Sequence, residues 1–268
     1  MIDVHCHLNF HSFEKDYDQV IKSAFEAGVT KIINVGTKID SSEQAVELAQ
    51  KYENLYAIVG VHPHHADKPE ANWLEELEKL AKKPKVVAIG EIGMDYFSYK
   101  SNDIADPKLQ KEVFIKQIEL AHKLKLPLQI HNRQAGKDIL DILLRNKSYL
   151  LNPPGMFHCM SGNLDFLKQV LDLGFYVGFD GNITYNGFAP GEDTDLKDLV
   201  KYAPIDRIVV ETDSPFLTPI PKRGSRNMPE YAIITARAIA KLKGVTFQEI
   251  EAKTTINAIE LFQLNARR

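Results

Sequence analysis

Ile2-Asp3-Val4-His5-Cys6-His7-Leu8 opens the chain with a short apolar run that carries two histidines, spaced two apart, into a polar turn. On a β-strand, residues i and i+2 point to the same face, so the imidazoles of His5 and His7 project side by side. Two adjacent neutral imidazoles can chelate a divalent metal. The same spacing also suits a surface turn that holds two histidines. The rest of the sequence decides between these readings.

Moving outward, one pattern repeats. Val20, Ile21, Ala24 and Ala27 give a single apolar face to a helix over about 14–27, with Gly28 at its stop. A strand at 31–35 leads to a serine-capped helix over 41–52 that turns Ala45, Leu48 and Ala49 inward. A strand at 56–61 then runs into His62-Pro63-His64. The strand at 86–90, after a helix over 70–81, ends at Glu91, and the strand at 127–130, after a helix over 108–123, ends at His131. A helix over 136–145 precedes the strand at 155–157, which ends at His158. Helices over 162–172 and 195–201 precede strands at 175–179 and 207–210, the last ending at Glu211 and Asp213. Eight short apolar strands alternating with amphipathic helices predict an α/β fold, a (β/α)8 TIM barrel formed as a single domain over residues 1–268. A doubly wound open sheet would gather its site at one switch point, whereas polar residues here follow nearly every strand. Tyr185 to Thr194, rich in glycine and acid, reads as a long loop after the seventh strand.

A chain of 268 residues can bury one large core, and its 44% hydrophobic and 26% charged content is that of a soluble globular protein. The net charge of −3 argues against a basic nucleic-acid coat, although bound divalent cations can neutralise substrate phosphates locally. The two cysteines, Cys6 and Cys159, form neither a zinc cluster nor a disulfide framework by spacing, and Cys6 should face away from its flanking histidines as a small buried residue. No apolar run reaches membrane-spanning length and no basic leader precedes one, so the expectation is a cytoplasmic protein without membrane contact or an obligate protein partner.

In a barrel of this kind the C-terminal strand ends share one rim. His5, His7, His62, His64, Glu91, His131, His158, Glu211 and Asp213 all fall there, which places six of the nine histidines at one end of the fold. Imidazoles and carboxylates with few thiols suit zinc, manganese or, with more carboxylate and water, magnesium. A carboxylate at the fourth strand end can bridge two ions about 3.5–4 Å apart. The predicted division puts His5, His7 and Asp213 on one divalent metal ion and His131 and His158 on a second, with Glu91 bridging.

These stretches carry a resemblance. Asp3-Val-His-Cys-His7, Gly60-Val-His-Pro-His64, Gly90-Glu-Ile-Gly-Met-Asp-Tyr96, Ile130-His-Asn-Arg133, Phe157-His-Cys-Met-Ser-Gly162, Glu211-Thr-Asp-Ser-Pro215 and Arg226-Asn-Met-Pro229 occur in this order. Together they resemble the TatD-type metal-dependent deoxyribonucleases, within the wider amidohydrolase-like barrels, over nearly the whole chain. The Gly-Glu-Ile-Gly-x-Asp-Tyr and Glu-Thr-Asp-x-Pro stretches are the specific ones. The resemblance implies a hydrolase that cleaves DNA phosphodiester bonds with a metal-activated water, often as a 3′-5′ exonuclease on single-stranded ends. In that reading Glu91, Asp213 and His64 are catalytic, Asp213 orienting the water and accepting its proton and His64 contacting the scissile phosphate or leaving oxygen. Arg133 and Arg226 suit phosphate, although Arg133 also reads as a surface or salt-bridged residue; Asn132 and Asn227 could add neutral donors, and Tyr96 and Phe97 either stack on a base or pack within their loop. His62 reads either as a supporting group behind the ligands or as core, and Glu211 as a supporting or structural carboxylate rather than a direct ligand.

Two other functions fit the same residues. One is an ester or amide hydrolase on the same site, such as a D-aminoacyl-tRNA deacylase. The other is a non-catalytic barrel that binds nucleic acid or protein. The loop 186–195 and the connection 98–107, which carries Asp103 and Asp106, are longer and more acidic than compact members of the resembled family would have. Both acidic loops should disfavour duplex DNA along their side of the rim.

Overall fold

A computed structural model of the chain describes residues 1–67, 71–98, 105–188 and 191–265. Asp103 of the acidic connection, and Glu70 at the expected start of the third helix, lie outside them. Eight parallel strands pair in the order of the chain: β1 (Ile2–Cys6), β2 (Lys31–Val35), β3 (Leu55–Val59), β4 (Val86–Asp95), β5 (Leu128–Arg133), β6 (Gly155–Phe157), β7 (Tyr176–Phe179) and β8 (Ile208–Val210). The ends of the sheet meet. Asp213 donates its backbone N–H to His5 O at 2.9 Å, His7 donates to Ser214 O at 2.8 Å, and Cys6 and Ser214 form a parallel bridge. The buried Asp3 carboxylate adds a side-chain clasp, accepting from Thr212 N at 3.0 Å and Thr212 Oγ1 at 2.7 Å. The expected barrel is present.

Between the strands lie α1 (Tyr17–Ala27), α2 (Ile39–Lys51), α3 (Trp73–Ala81), α4 (Pro107–Leu124), α5 (Gly136–Arg145), α6 (Leu164–Asp172) and α7 (Leu196–Tyr202). Their ends follow local chemistry. Asp106 caps α4 through Lys108 N with Pro107 in the first turn, and Gly28, at φ 108°, closes α1 in the left-handed region that glycine tolerates. Two helices rather than one follow β8: α8 (Ala232–Lys243) and α9 (Phe247–Phe262), the second opened by a Thr246/Glu249 capping box.

One apolar cluster joins Ile33, Tyr56, Ile58 and Val87 of β2–β4 to Met156, Tyr176 and Val209 of β6–β8 across the sheet, which identifies it as barrel interior. Ala258, Leu261 and Phe262 of α9 join it, and Tyr56 Oη donates to Leu264 O at 3.0 Å near the start of β3. The end of the barrel opposite the rim is therefore closed by α9. A larger cluster packs helices around the outside, and Cys6 is fully buried in a third, against α1.

Sequence and structure differ most at β4. An acidic residue after Gly90 reads as a strand end, yet the strand continues through Glu91 to Asp95, every residue of it buried. Ladder pairing of Gly93, Met94 and Asp95 with His131, Asn132 and Arg133 of β5 supports the extension. Gly93 is required there, because at φ +143° an added Cβ would come within 2.0 Å of His131 O.

Candidate active site and metal centre

The rim carries a cavity of about 730 Å³ lined by His7, His62, His64, Glu91, His131, Asn132, Arg133, His158 and Asp213, among others. His5, fully buried, lies directly beneath. His5 and His7 approach each other at Nε2, 3.1 Å apart. Asp213 Oδ1 lies 3.6 Å from His5 Nε2 and 3.4 Å from His7 Nε2, and Glu91 Oε2 lies 3.7 and 3.9 Å from the same atoms. Ligand atoms held tetrahedrally at 2.0–2.2 Å from one centre sit about 3.3–3.6 Å apart. The Asp213 distances fall in that range, and the His5–His7 and Glu91 distances lie within about 0.3 Å of it, so small adjustments would bring these donors to the spacing of a metal shell.

The other oxygen of Glu91 serves a second group. Glu91 Oε1 is 2.7 Å from His131 Nδ1, 3.8 Å from His158 Nε2 and 3.5 Å from His62 Nε2. One carboxylate thus faces two separate sets of imidazoles. Burial disfavours its charge, but the neighbouring imidazoles, His62 first, outweigh that and hold Glu91 well below the usual carboxylate range.

Tautomers separate ligands from supports. His7 Nδ1 faces Val35 O at 2.9 Å and so carries a proton, which leaves the Nε2 lone pair for a metal. His158 Nδ1 forms an ion pair with Glu211 Oε2 at 3.1 Å; burial would lower His158, but Glu211 raises it to about 10, so an ion at Nε2 would displace a proton there while Glu211 holds the one on Nδ1. His62 is reversed: its Nδ1 accepts from His64 N, so in the neutral ring Nε2 bears the proton and donates toward Glu91. Burial lowers His62 to about 4, so it is neutral at physiological pH. His62, Glu91 and His131 are close enough to hold an ion together, but the proton on His62 Nε2 favours a supporting part.

The main residue missed from the sequence is Asp95. It is buried at the end of β4, with Oδ2 3.1 Å from His131 Nε2 and 3.0 Å from His64 Nε2. Burial would lower His131, but the hydrogen bonds it donates to the Asp95 and Glu91 carboxylates raise it to about 9. With an ion at Nδ1, Asp95 would hold the Nε2 proton and orient the ring. The signal was available: Glu91, Gly93 and Asp95 share one face once the strand is allowed to continue. Asp95→Asn is expected to weaken metal affinity about 10–100-fold, read by metal titration at neutral pH. Wild-type affinity would detach Asp95 from the centre.

Several predicted substrate contacts lie elsewhere. Arg226 forms a bidentate pair with Asp16 at 2.6 and 3.0 Å, donates to Ser12 O, and its guanidinium lies 4.4 Å from the Phe13 ring. It pins the β8 loop to the start of α1 and does not line the cavity. Asn227 is fully buried, its NH2 donating to Thr212 O and Phe216 O while its Oδ1 accepts from Met228 N, so it shapes that loop from within. Tyr96 Oη donates to Asp138 of α5 at 2.6 Å, and Phe97 is covered by the Arg133 guanidinium at 4.2 Å. Asn132 and Arg133 do line the cavity, as does His64. Arg223, unmarked in the sequence reading, lines it too and stacks on Tyr185 at 3.8 Å.

A parallel barrel whose rim collects this many imidazoles around paired carboxylates defines a metal-dependent hydrolase. A family profile described as TatD related DNase matches residues 2–263, and the chain belongs to that family. It is 39% identical to a Bacillus subtilis protein named uncharacterized metal-dependent hydrolase YabD, over 99% of this chain and all of that one. It is 33% identical to the Citrobacter rodentium protein named 3′-5′ ssDNA/RNA exonuclease TatD, over 100% of this chain and 99% of that one. Among solved structures, YjjV, a TatD homologue from Escherichia coli, superimposes with a TM-score of 0.87 at 30% identity, covering 98% of each chain. No helix among the described residues is long and apolar enough to cross a membrane.

Proposed function

We propose that the chain hydrolyses phosphodiester bonds of single-stranded nucleic acid, DNA foremost, removing nucleotides from a 3′ end at a centre of two divalent ions. The observation that carries this reading is Glu91, whose two oxygens face two groups of imidazole donors inside one cavity. Relatives named as single-strand exonucleases support the substrate class. Magnesium, manganese or zinc bound there would supply Lewis-acid polarisation of a phosphoryl oxygen and lower the pKa of water.

The chain's own residues divide the remaining work. His5, His7 and Asp213 would hold one ion and His131 and His158 the other, with Glu91 between. Asp213 Oδ1 faces the same space and is the group to take a proton from the attacking water. Arg133 and Arg223, each lying over an aromatic ring, present pre-oriented guanidinium groups for phosphate oxygens, with Asn132 beside Arg133. His64, near the cavity mouth beside Asp95, is placed to meet the leaving oxygen. Glu192 of the acidic β7 loop lines the cavity wall and disfavours a second strand.

The test is a nuclease assay on end-labelled single-stranded DNA with metal-stripped protein reloaded with magnesium, manganese or zinc. Mononucleotides should leave the 3′ end, stop appearing with chelator, and return with an added ion. DNA left intact while an aminoacyl ester is cleaved under the same conditions would replace the nuclease reading with the ester one.

A further inference from the structure

Phe216 is a large apolar side chain that the fold leaves 51% exposed on the rim of the cavity. It makes edge-to-face contacts with Phe10 and His7, at ring-centroid distances of 6.2 and 6.3 Å. Phe10 in turn stacks on His7 at 4.3 Å with the rings 14° from parallel. The two phenylalanines form a ridge that abuts the metal-facing imidazole and also lines a second groove beyond, shared with Leu8, Tyr17, Leu48 and Pro215.

The backbone that carries the ring is firmly held. Phe216 N donates to Asp213 O at 2.8 Å, and its carbonyl accepts from the fully buried Asn227 amide. Its position is therefore tied through three residues of backbone to a carboxylate of the metal centre. A pinned, half-exposed aromatic face is a stacking surface that loses little freedom when covered.

We propose that Phe216 is a nucleobase platform: a base adjoining the scissile phosphate stacks against it while that phosphate lies at the metal centre. The proposal rests on the phosphodiesterase reading above. The groove beyond offers little to a further phosphate, because Lys38 is paired with Asp40 at 2.7 Å and Lys51 with Asp18 at 3.3 Å, while Glu14 and Glu47 add negative charge. Recognition on this side is of one base, without sequence preference, since every base has a face to stack.

The test compares a dinucleotide with the methyl esters of the 3′- and 5′-mononucleotide, each a phosphodiester lacking one base. For wild-type protein the dinucleotide should show a KM about tenfold or more below that of one of the two esters. Phe216→Ala should erase that preference, and Phe216→Trp should restore it. A dinucleotide-to-ester ratio unchanged in Phe216→Ala, whatever happens to absolute rates, overturns the proposal and leaves Phe216 as packing for Phe10. If loaded wild-type protein hydrolyses none of the three diesters, the phosphodiesterase reading fails and the platform with it. These two failures are separate readings of one experiment.

Discussion

Glu91→Gln is expected to lower kcat by at least about 10³-fold while leaving the barrel folded. The substitution keeps the shape of the side chain but replaces an anion that faces imidazoles from both of its oxygens. An amide offers one oxygen and one NH2, so at least one group of donors would lose its shared ligand. On the two-ion centre proposed above, bound metal should fall by at least one equivalent, measured on purified protein alongside circular dichroism. Retention of wild-type turnover would remove Glu91 from the bridging position.

Asp213→Asn should cost about 10²–10⁴ in kcat with a small change in KM, because an amide cannot accept the proton of an attacking water. Asp213 Oδ1 also belongs to the first donor group, so the loss has two parts. Assay at saturating metal separates them: the defect cured by added ion belongs to ligation, and the defect that persists belongs to proton transfer. Full activity at saturating metal would rule Asp213 out as the base.

The fold was legible because each strand is a short apolar run closed by a polar residue, and because helices between strands leave parallel pairing as the outcome. That same rule concealed Asp95. A carboxylate inside a strand is read as its end, whereas here the charge is buried against His131 and His64. The imidazole and carboxylate positions could be read from spacing, since strand ends in a barrel converge without further information. The outer contacts could not. Whether Arg226 turns toward the cavity or toward Asp16 depends on where the α1 entry lies, and no local pattern encodes that distance. Phe216 was hidden for a related reason, since an exposed ring and a buried one look alike in sequence.

The meeting of β1 and β8 has a consequence for the birth of the protein. His5 and His7 leave the ribosome roughly 200 residues before Asp213, and at 5–20 residues per second that interval is about 10–40 s. Throughout it the first group has only its two imidazoles and, once residue 91 has emerged, the Glu91 carboxylate, and it lacks the Asp213 oxygen that completes the set. The first donor group is thus completed only by the last strand, at the same moment that β8 meets β1 and the barrel seals.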